Sequence, residues 1–157
     1  PEMPAALAAF SGVKRRFEFI VRRPDCVYVD DYAHHPTELR AVISAARMMF
    51  PEHKITGVFQ PHLFTRTRDF ADDFAGALDM LDHCLLLPIY PARELSIEGV
   101  NAEMILQKMN LLHKKVVSKT ELLTELQHNR PEILLTMGAG DIDTLIEPIK
   151  SILNSQS

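Results

Sequence analysis

Apolar positions along the chain recur with two periods. Residues 17–21 (FEFIV) alternate and run into the turn-like RRPD, which predicts a first strand. CVYVD at 26–30 is a second strand by its β-branched content. The period then changes. Leu39, Val42, Ile43, Ala46, Met49 and Phe50 recur at helical spacing, with Pro36 suited to the first helical position and Pro51 as a stop. KITGVFQ (54–60) is the next strand, and Phe70, Phe74, Ala77, Leu78 and Leu81 form a second helical stripe. HCLLLPI (83–89) is a strand. Asn101 is placed to cap a helix carrying Ile105, Met109 and Leu112. KKVVS is a short strand, Thr120 a cap for a helix ending near Asn129, and EILLTM (132–137) a buried strand. Ile142, Leu145, Ile146, Ile149, Ile152 and Leu153 mark the last helix.

Repeated strand–helix alternation predicts an α/β three-layer fold: a mostly parallel six-stranded sheet with helices on both faces. No crossover helix separates the first two strands, so the first is expected antiparallel on the edge. In such a sheet every strand-to-helix loop emerges on one edge. Those loops are DDYAHHPT, QPHLFTRT, IYPARE and MGAGD. They hold nearly all the unusual polar residues: Asp30, Asp31, His34, His35, His62, Arg66, Arg68, Arg93 and Glu94. The opposite edge carries plain turns (FPEH, LDH, NRPE). The asymmetry points to a ligand crevice at the carboxyl ends of the strands.

Composition narrows the classes. The chain has 157 residues, 46% hydrophobic and 24% charged, as one globular domain would. A net charge of −4 gives no footing for a nucleic-acid or anionic-membrane partner, and no apolar run approaches a membrane span. Cys26 and Cys84 lie in apolar runs and read as buried reduced thiols, which suggests the cytoplasm. The opening PEMPAALAAFSGVKRRFEF reads as a linker after something upstream, so a piece of a longer protein is expected.

The acid–histidine cluster is open to three readings. Asp30, Asp31, His34, His35 and His62 could ligate a metal, although adjacent histidines point in different directions. One acid could hold the hydroxyls of a nucleotide ribose. Asp30 or His35 could simply cap the helix beginning at Pro36, and at least one of them is expected to. Gly138 and Gly140 could let backbone approach a phosphate or carboxylate, though two glycines more often mark a tight turn. Arg66 and Arg68 could clamp an anion; for Arg68 solvated surface is the preferred reading. The Arg15–Arg16–Phe17 triplet is surface charge or a phosphate contact.

Five segments, in order and across essentially the whole chain, resemble the C-terminal part of the Mur ligase family: GVKRRF (12–17), DDYAHHPTE (30–38), FQPHLFTRTRD (59–69, with Leu63 at an open place), YPARE (90–94) and GAGDI (138–142). The second and third are specific; GAG alone is not. The resemblance implies a Rossmann-like domain and ATP-dependent amide synthesis for peptidoglycan precursors. In that reaction the lactyl carboxylate of UDP-N-acetylmuramate is phosphorylated by ATP, and the amine of L-alanine attacks the acyl phosphate. The phosphate-binding loop and the Mg2+ ligands are expected in a middle domain. No G-x-x-x-x-G-K-[ST] occurs in the sequence. The resemblance therefore makes residues 1–16 a linker and the end of a preceding domain. Residues 17–154 are the third domain, inactive alone, and 155–157 a frayed tail; this domain itself holds no metal.

Residue by residue, Arg16 matches the arginine that reaches the ATP phosphates across a closed interface. Asp31 matches the acid on the nucleotide ribose, and Tyr32 lies near the adenine or the hinge. His34, His62 and Arg66 match positions around the incoming alanine. Arg66 would sit on its carboxylate, and His34 would help remove the proton of its amine. Many relatives carry arginine at the place of Leu63 and glycine at that of Arg93. The branch that attaches recycled murein tripeptide shares the Asp-Asp-aromatic-Ala-His-His-Pro-Thr segment and is expected to lack the 59–69 loop. The residues also leave open a stand-alone metal-dependent hydrolase or a non-catalytic nucleotide-binding module.

Overall fold

A computed structural model of the chain describes residues 13–155. Its elements are β1 (Glu18–Arg23), β2 (Cys26–Asp31), α1 (Pro36–Met49), β3 (Ile55–Phe59), α2 (Phe64–Leu78), β4 (His83–Leu86), α3 (Ala102–Leu106), β5 (Lys114–Val116), α4 (Lys119–His128) and β6 (Ile133–Met137). A 3-10 turn over Asp141–Leu145 leads into α5 (Ile146–Ser155). One six-stranded sheet runs β1-β2-β6-β3-β4-β5, antiparallel only between β1 and β2. The expected fold class is the observed one.

The strands read as continuous apolar runs because both faces are covered. Their alternation divides them. Val29, Phe59, Cys84, Leu86, Leu135 and Met137 pack with Leu39, Ile43, Phe74, Leu78 and Ile105 of α1, α2 and α3. Tyr28, Val58, Leu85 and Leu134 pack with Leu122, Leu126, Ile149 and Leu153 of α4 and α5. Phe59, Phe74, Leu85 and Ile43 are wholly buried, each worth about 1.5–3 kcal/mol relative to exposure. Gly57 on β3 is needed by this packing, since a Cβ there would lie 2.4 Å from Cδ1 of Leu81.

Several boundaries differ from the periodic reading. α2 begins at Phe64, six residues before Phe70, which sits at a kink with φ −117° and ψ 17°. The loop residues ahead of the apolar stripe thus belong to the helix. α3 stops at Leu106; Met109 is buried from a turn and Leu112 is 89% exposed. The cap of α4 is Ser118, not Thr120: its hydroxyl accepts from the Glu121 N–H, while Glu121 accepts from the Ser118 N–H. Ile142 and Leu145 fall in the 3-10 turn. Helix α5 includes Ser155, where a frayed tail was expected; residues 156–157 and the first twelve residues of the expected 1–16 linker lie outside the described residues. Both cysteines are buried free thiols, and burial pushes that of Cys84 up. Among the described residues no helix is long and apolar enough to cross a membrane.

Candidate functional site

The loops after β2, β3, β4 and β6 meet on the carboxyl edge of the sheet. At the β2–α1 joint, Pro36 opens the helix and His35 caps it. The His35 ring accepts from the Thr37 N–H at 3.4 Å. Glu38 returns the bond, accepting from the N–H groups of His35 at 3.0 Å and His34 at 2.9 Å. This capping box satisfies donors that a helix start leaves orphaned. Burial pushes the Glu38 carboxyl up, but those N–H groups and the two imidazoles outweigh it, and the net direction is down. His35 is therefore structural, as one of the three readings anticipated.

The two acids do different work. Asp30 is fully buried: Oδ1 accepts from the Thr136 hydroxyl at 2.7 Å and Oδ2 from Arg15 Nε at 2.9 Å. Asp31 is half-buried and takes two backbone N–H groups, Phe17 at 2.7 Å and Ala33 at 2.8 Å. Burial raises the Asp31 carboxyl, opposed by those two donors. Each Asp31 oxygen keeps a second lone pair for a ligand hydroxyl. Among the described residues no group of three or more His, Cys, Asp or Glu could hold a metal ion. The physical reason is visible in Asp30, which is turned into the sheet, away from the histidines.

Arg16, Asp31 and Tyr32, grouped as nucleotide contacts, line one cleft of about 470 Å3. Phe17, Ala41, Val42 and Ala45 give it an apolar floor, and Arg16, Asp31 and Glu38 its polar rim. A flat ring with an anionic tail suits such a lining.

His34, His62 and Arg66 form a separate row beside it. The His34 ring stands edge-on to Tyr32, with centroids 5.2 Å apart, and 6.1 Å from the His62 ring. Tyr32 thus joins the cleft to the row. His34 Nδ1 lies 3.0 Å from the Tyr32 carbonyl oxygen and 3.5 Å from Glu38 Oε2. Two acceptors mean that Nδ1 carries a proton, so in the neutral ring Nε2 holds the free lone pair. Arg66 Nη1 donates to His62 Nδ1 at 3.1 Å, which puts the proton of neutral His62 on Nε2. Burial lowers the basicity of His62, and Arg66 and His34 lower it further. Arg68 is exposed and pairs with Asp69 at 2.8 Å, as a surface arginine does. Arg93 is exposed in its loop.

Three residues without an assigned role also build this edge. Tyr90 stacks on His62, with centroids 5.7 Å apart and planes 22° apart. Gln60, 4% exposed, donates to Asp141 at 2.7 Å and accepts from the Ile142 N–H at 2.9 Å. Arg15 bonds Asp30 and the Gly138 carbonyl. Arginine doubled in RRF was the only hint of the last, and it does not say which of the pair is buried. The glycines of MGAGD serve packing. A Cβ on Gly140 would lie 2.6 Å from Gln60 Oε1 and from Tyr90, and one on Gly138 would lie 3.0 Å from the Gln60 carbonyl. Helix α2 has no cap from Leu63, which holds φ 72°. Glu94 takes over, accepting from both the N–H and the hydroxyl of Thr65. That hydroxyl holds the Glu94 carboxyl below its ordinary range.

A mostly parallel sheet with helices on both faces, and with its polar loops gathered at the carboxyl edge, defines a Rossmann-like domain with one ligand-facing rim. Residues 15–140 match the model of the Mur ligase glutamate ligase domain, and the chain belongs to that family. It is 56% identical over 146 residues to the UDP-N-acetylmuramate–L-alanine ligase of Cytophaga hutchinsonii, a match covering 93% of this chain and 31% of the relative. The same-named ligase of Flavobacterium psychrophilum is 52% identical over 151 residues, with 96% and 34% covered. Among solved structures, the UDP-N-acetylmuramate-alanine ligase of Thermotoga maritima superposes with a TM-score of 0.71 at 30% identity, over 98% of this chain and 33% of that one. The chain spans about a third of the length of these relatives.

Proposed function

We propose that this domain belongs to an ATP-dependent ligase that joins L-alanine to UDP-N-acetylmuramate in peptidoglycan synthesis, and that it closes over the nucleotide and presents the amino acid. The observation that carries the reading is the continuity of two lined places on one rim, the Arg16–Asp31–Tyr32 cleft and the His34–His62–Arg66 row, joined at Tyr32. The names of the relatives support the choice of amino acid and sugar. The 59–69 loop that carries His62 and Arg66 favours alanine addition over tripeptide recycling. Cell-wall assembly from a UDP-sugar and ATP puts the reaction in the cytoplasm.

The chemistry asks this domain for position and charge more than for proton transfer. Arg16 would lie against the anionic oxygens of the nucleotide phosphates. Asp31 would accept a ribose hydroxyl on its remaining lone pairs, and the Tyr32 ring would border the base. Arg66 would pair with the carboxylate of L-alanine. Its two bonds to His62, one to Nδ1 and one to the carbonyl, both come from Nη1, so Nε and Nη2 are left for a carboxylate. The alanine amine attacks the activated carbonyl, the new C–N bond forms, and phosphate departs. The amine proton goes to His34 Nε2, the lone pair that the Tyr32 carbonyl keeps free. The Mg2+ that accompanies ATP is expected on residues outside this chain.

Phosphate release tests the proposal in the full-length ligase, supplied with ATP, Mg2+, UDP-N-acetylmuramate and either L-alanine or murein tripeptide. Turnover dependent on L-alanine, and absent from the 157-residue chain alone, is the expected result. Turnover with the tripeptide in place of alanine would move the protein to the recycling branch. Turnover by the chain alone would overturn the closing-domain reading.

A further inference from the structure

Arg16 stands between two residues in the left-handed region, Arg15 at φ 58° and Phe17 at φ 45°. Neither is glycine, and such backbone persists only where its surroundings over-determine it. The contacts that do so converge on Arg15. Its Nε donates to Asp30 Oδ2 at 2.9 Å and its Nη2 to the Gly138 carbonyl at 2.7 Å. Its N–H donates to Glu18 at 2.8 Å, and its carbonyl accepts from the Tyr32 N–H at 2.7 Å. Its guanidinium carbon lies 5.2 Å from the centre of the Tyr32 ring. Asp30 is fully buried and fixed from its other oxygen by Thr136.

We infer that Arg15 is a positioning residue, latching the 13–17 segment and the Tyr32 loop to Asp30 and to the loop after β6, and so setting the gap between Arg16 and Tyr32. The inference rests on the nucleotide reading of that cleft. Arg16 is exposed, so the backbone at 15–17 decides where its guanidinium reaches. Tyr32 forms the facing wall and is 47% exposed, and the latch touches it through both ring and backbone. A lysine could not do this. Arg15 reaches acceptors on strand β2 and on the loop after β6 from two nitrogens of one planar fork, where an ammonium is a single point.

The test uses the full-length ligase. Arg15→Gly suits φ 58° and removes the latch without adding backbone strain. It is expected to lower kcat/KM for ATP about tenfold, the scale of one charge-assisted hydrogen bond. The same change in an Arg16→Ala background is expected to cost less than about twofold, because Arg15 acts through Arg16. Equal, multiplicative losses in both backgrounds would overturn the inference. Amide exchange of Arg16 and Phe17, measured without nucleotide, is expected to quicken about tenfold in Arg15→Gly. It should also quicken in Asp30→Asn, which leaves residue 15 untouched. Exchange unchanged in both variants would overturn the latch whatever the kinetics. A wild-type ligase with no ATP-dependent turnover would defeat the nucleotide reading instead, and exchange alone would then decide the latch.

Discussion

Replacing Thr136 with valine keeps the branched shape of a β6 side chain and deletes one hydroxyl. In the folded protein that hydroxyl both donates and accepts. It donates to Asp30 Oδ1 at 2.7 Å, so the Tyr28 hydroxyl, 3.0 Å away, must donate to it. Tyr28, Thr136 and Asp30 are each at most 1% exposed, and burial pushes the Tyr28 phenol up. Valine leaves a buried carboxylate oxygen without its donor and a buried phenol without its acceptor. A hydrogen bond to a charged group is worth about 1.5–3 kcal/mol, and an unmet buried group costs about 1–3 kcal/mol. The combined loss is then roughly 3–4 kcal/mol, read by urea unfolding of the chain, or roughly 10 °C in Tm for a domain of this size. Tyr28→Phe should cost only about 1 kcal/mol, since it removes a donor and leaves a hydroxyl lone pair unmet. In the double variant the phenol is no longer there to be orphaned. The loss in the double variant should therefore fall short of the sum of the single losses by about 1–2 kcal/mol. A Thr136→Val loss below about 0.5 kcal/mol, or strict additivity, would refute the relay.

Gly140→Ala should cost about 1–3 kcal/mol in thermal unfolding, because its Cβ would meet Gln60 and Tyr90 at 2.6 Å and both lie in the packed rim. In the ligase it should also raise KM for L-alanine, since Tyr90 is the plate on which His62 stacks. Arg66→Ala should raise that KM about 10–100-fold, the scale of a lost guanidinium–carboxylate pair. Stability should fall as pH drops from 7 through the histidine range. Burial and the neighbouring Arg66 and His34 hold His62 below its ordinary value, so the unfolded chain takes up a proton first. His62→Gln should flatten that slope, and a slope unchanged by the substitution would remove the cause assigned. Glu38→Gln should cost about 1 kcal/mol by weakening the capping box, measured by chemical denaturation at pH 7. Its share of stability should persist above the ordinary glutamate range and fade as pH falls through the lowered value.

The layering, the six strands, the antiparallel edge and the rim of polar loops were legible because each is written in local periodicity. Apolar spacing of two or three to four residues reports which face is buried, and strand–helix alternation then leaves few topologies. That Asp30 or His35 caps the helix was legible from Pro36 at its start; the choice of His35 was the structure's. The grouping of Arg16, Asp31 and Tyr32 came from the family resemblance, not from local pattern. Other features depend on residues far apart in sequence. The sheet order sets β6 between β2 and β3, and only that order brings Thr136 to Asp30 and Gly138 to Arg15. Nothing local distinguishes Asp30 from Asp31, although one is sealed in the sheet and the other opens on the cleft. The cap of α2 comes from Glu94, 29 residues beyond Thr65. The glycines after β6 answer to Gln60 and Tyr90, whose side chains fill the space a Cβ would take. Sequence by itself determined which elements form and which rim carries the chemistry, because hydrophobic burial and capping act between near neighbours. Only the tertiary structure decided which of two adjacent arginines and two adjacent acids is structural, because a buried charge is settled by partners that the fold brings to it from other strands.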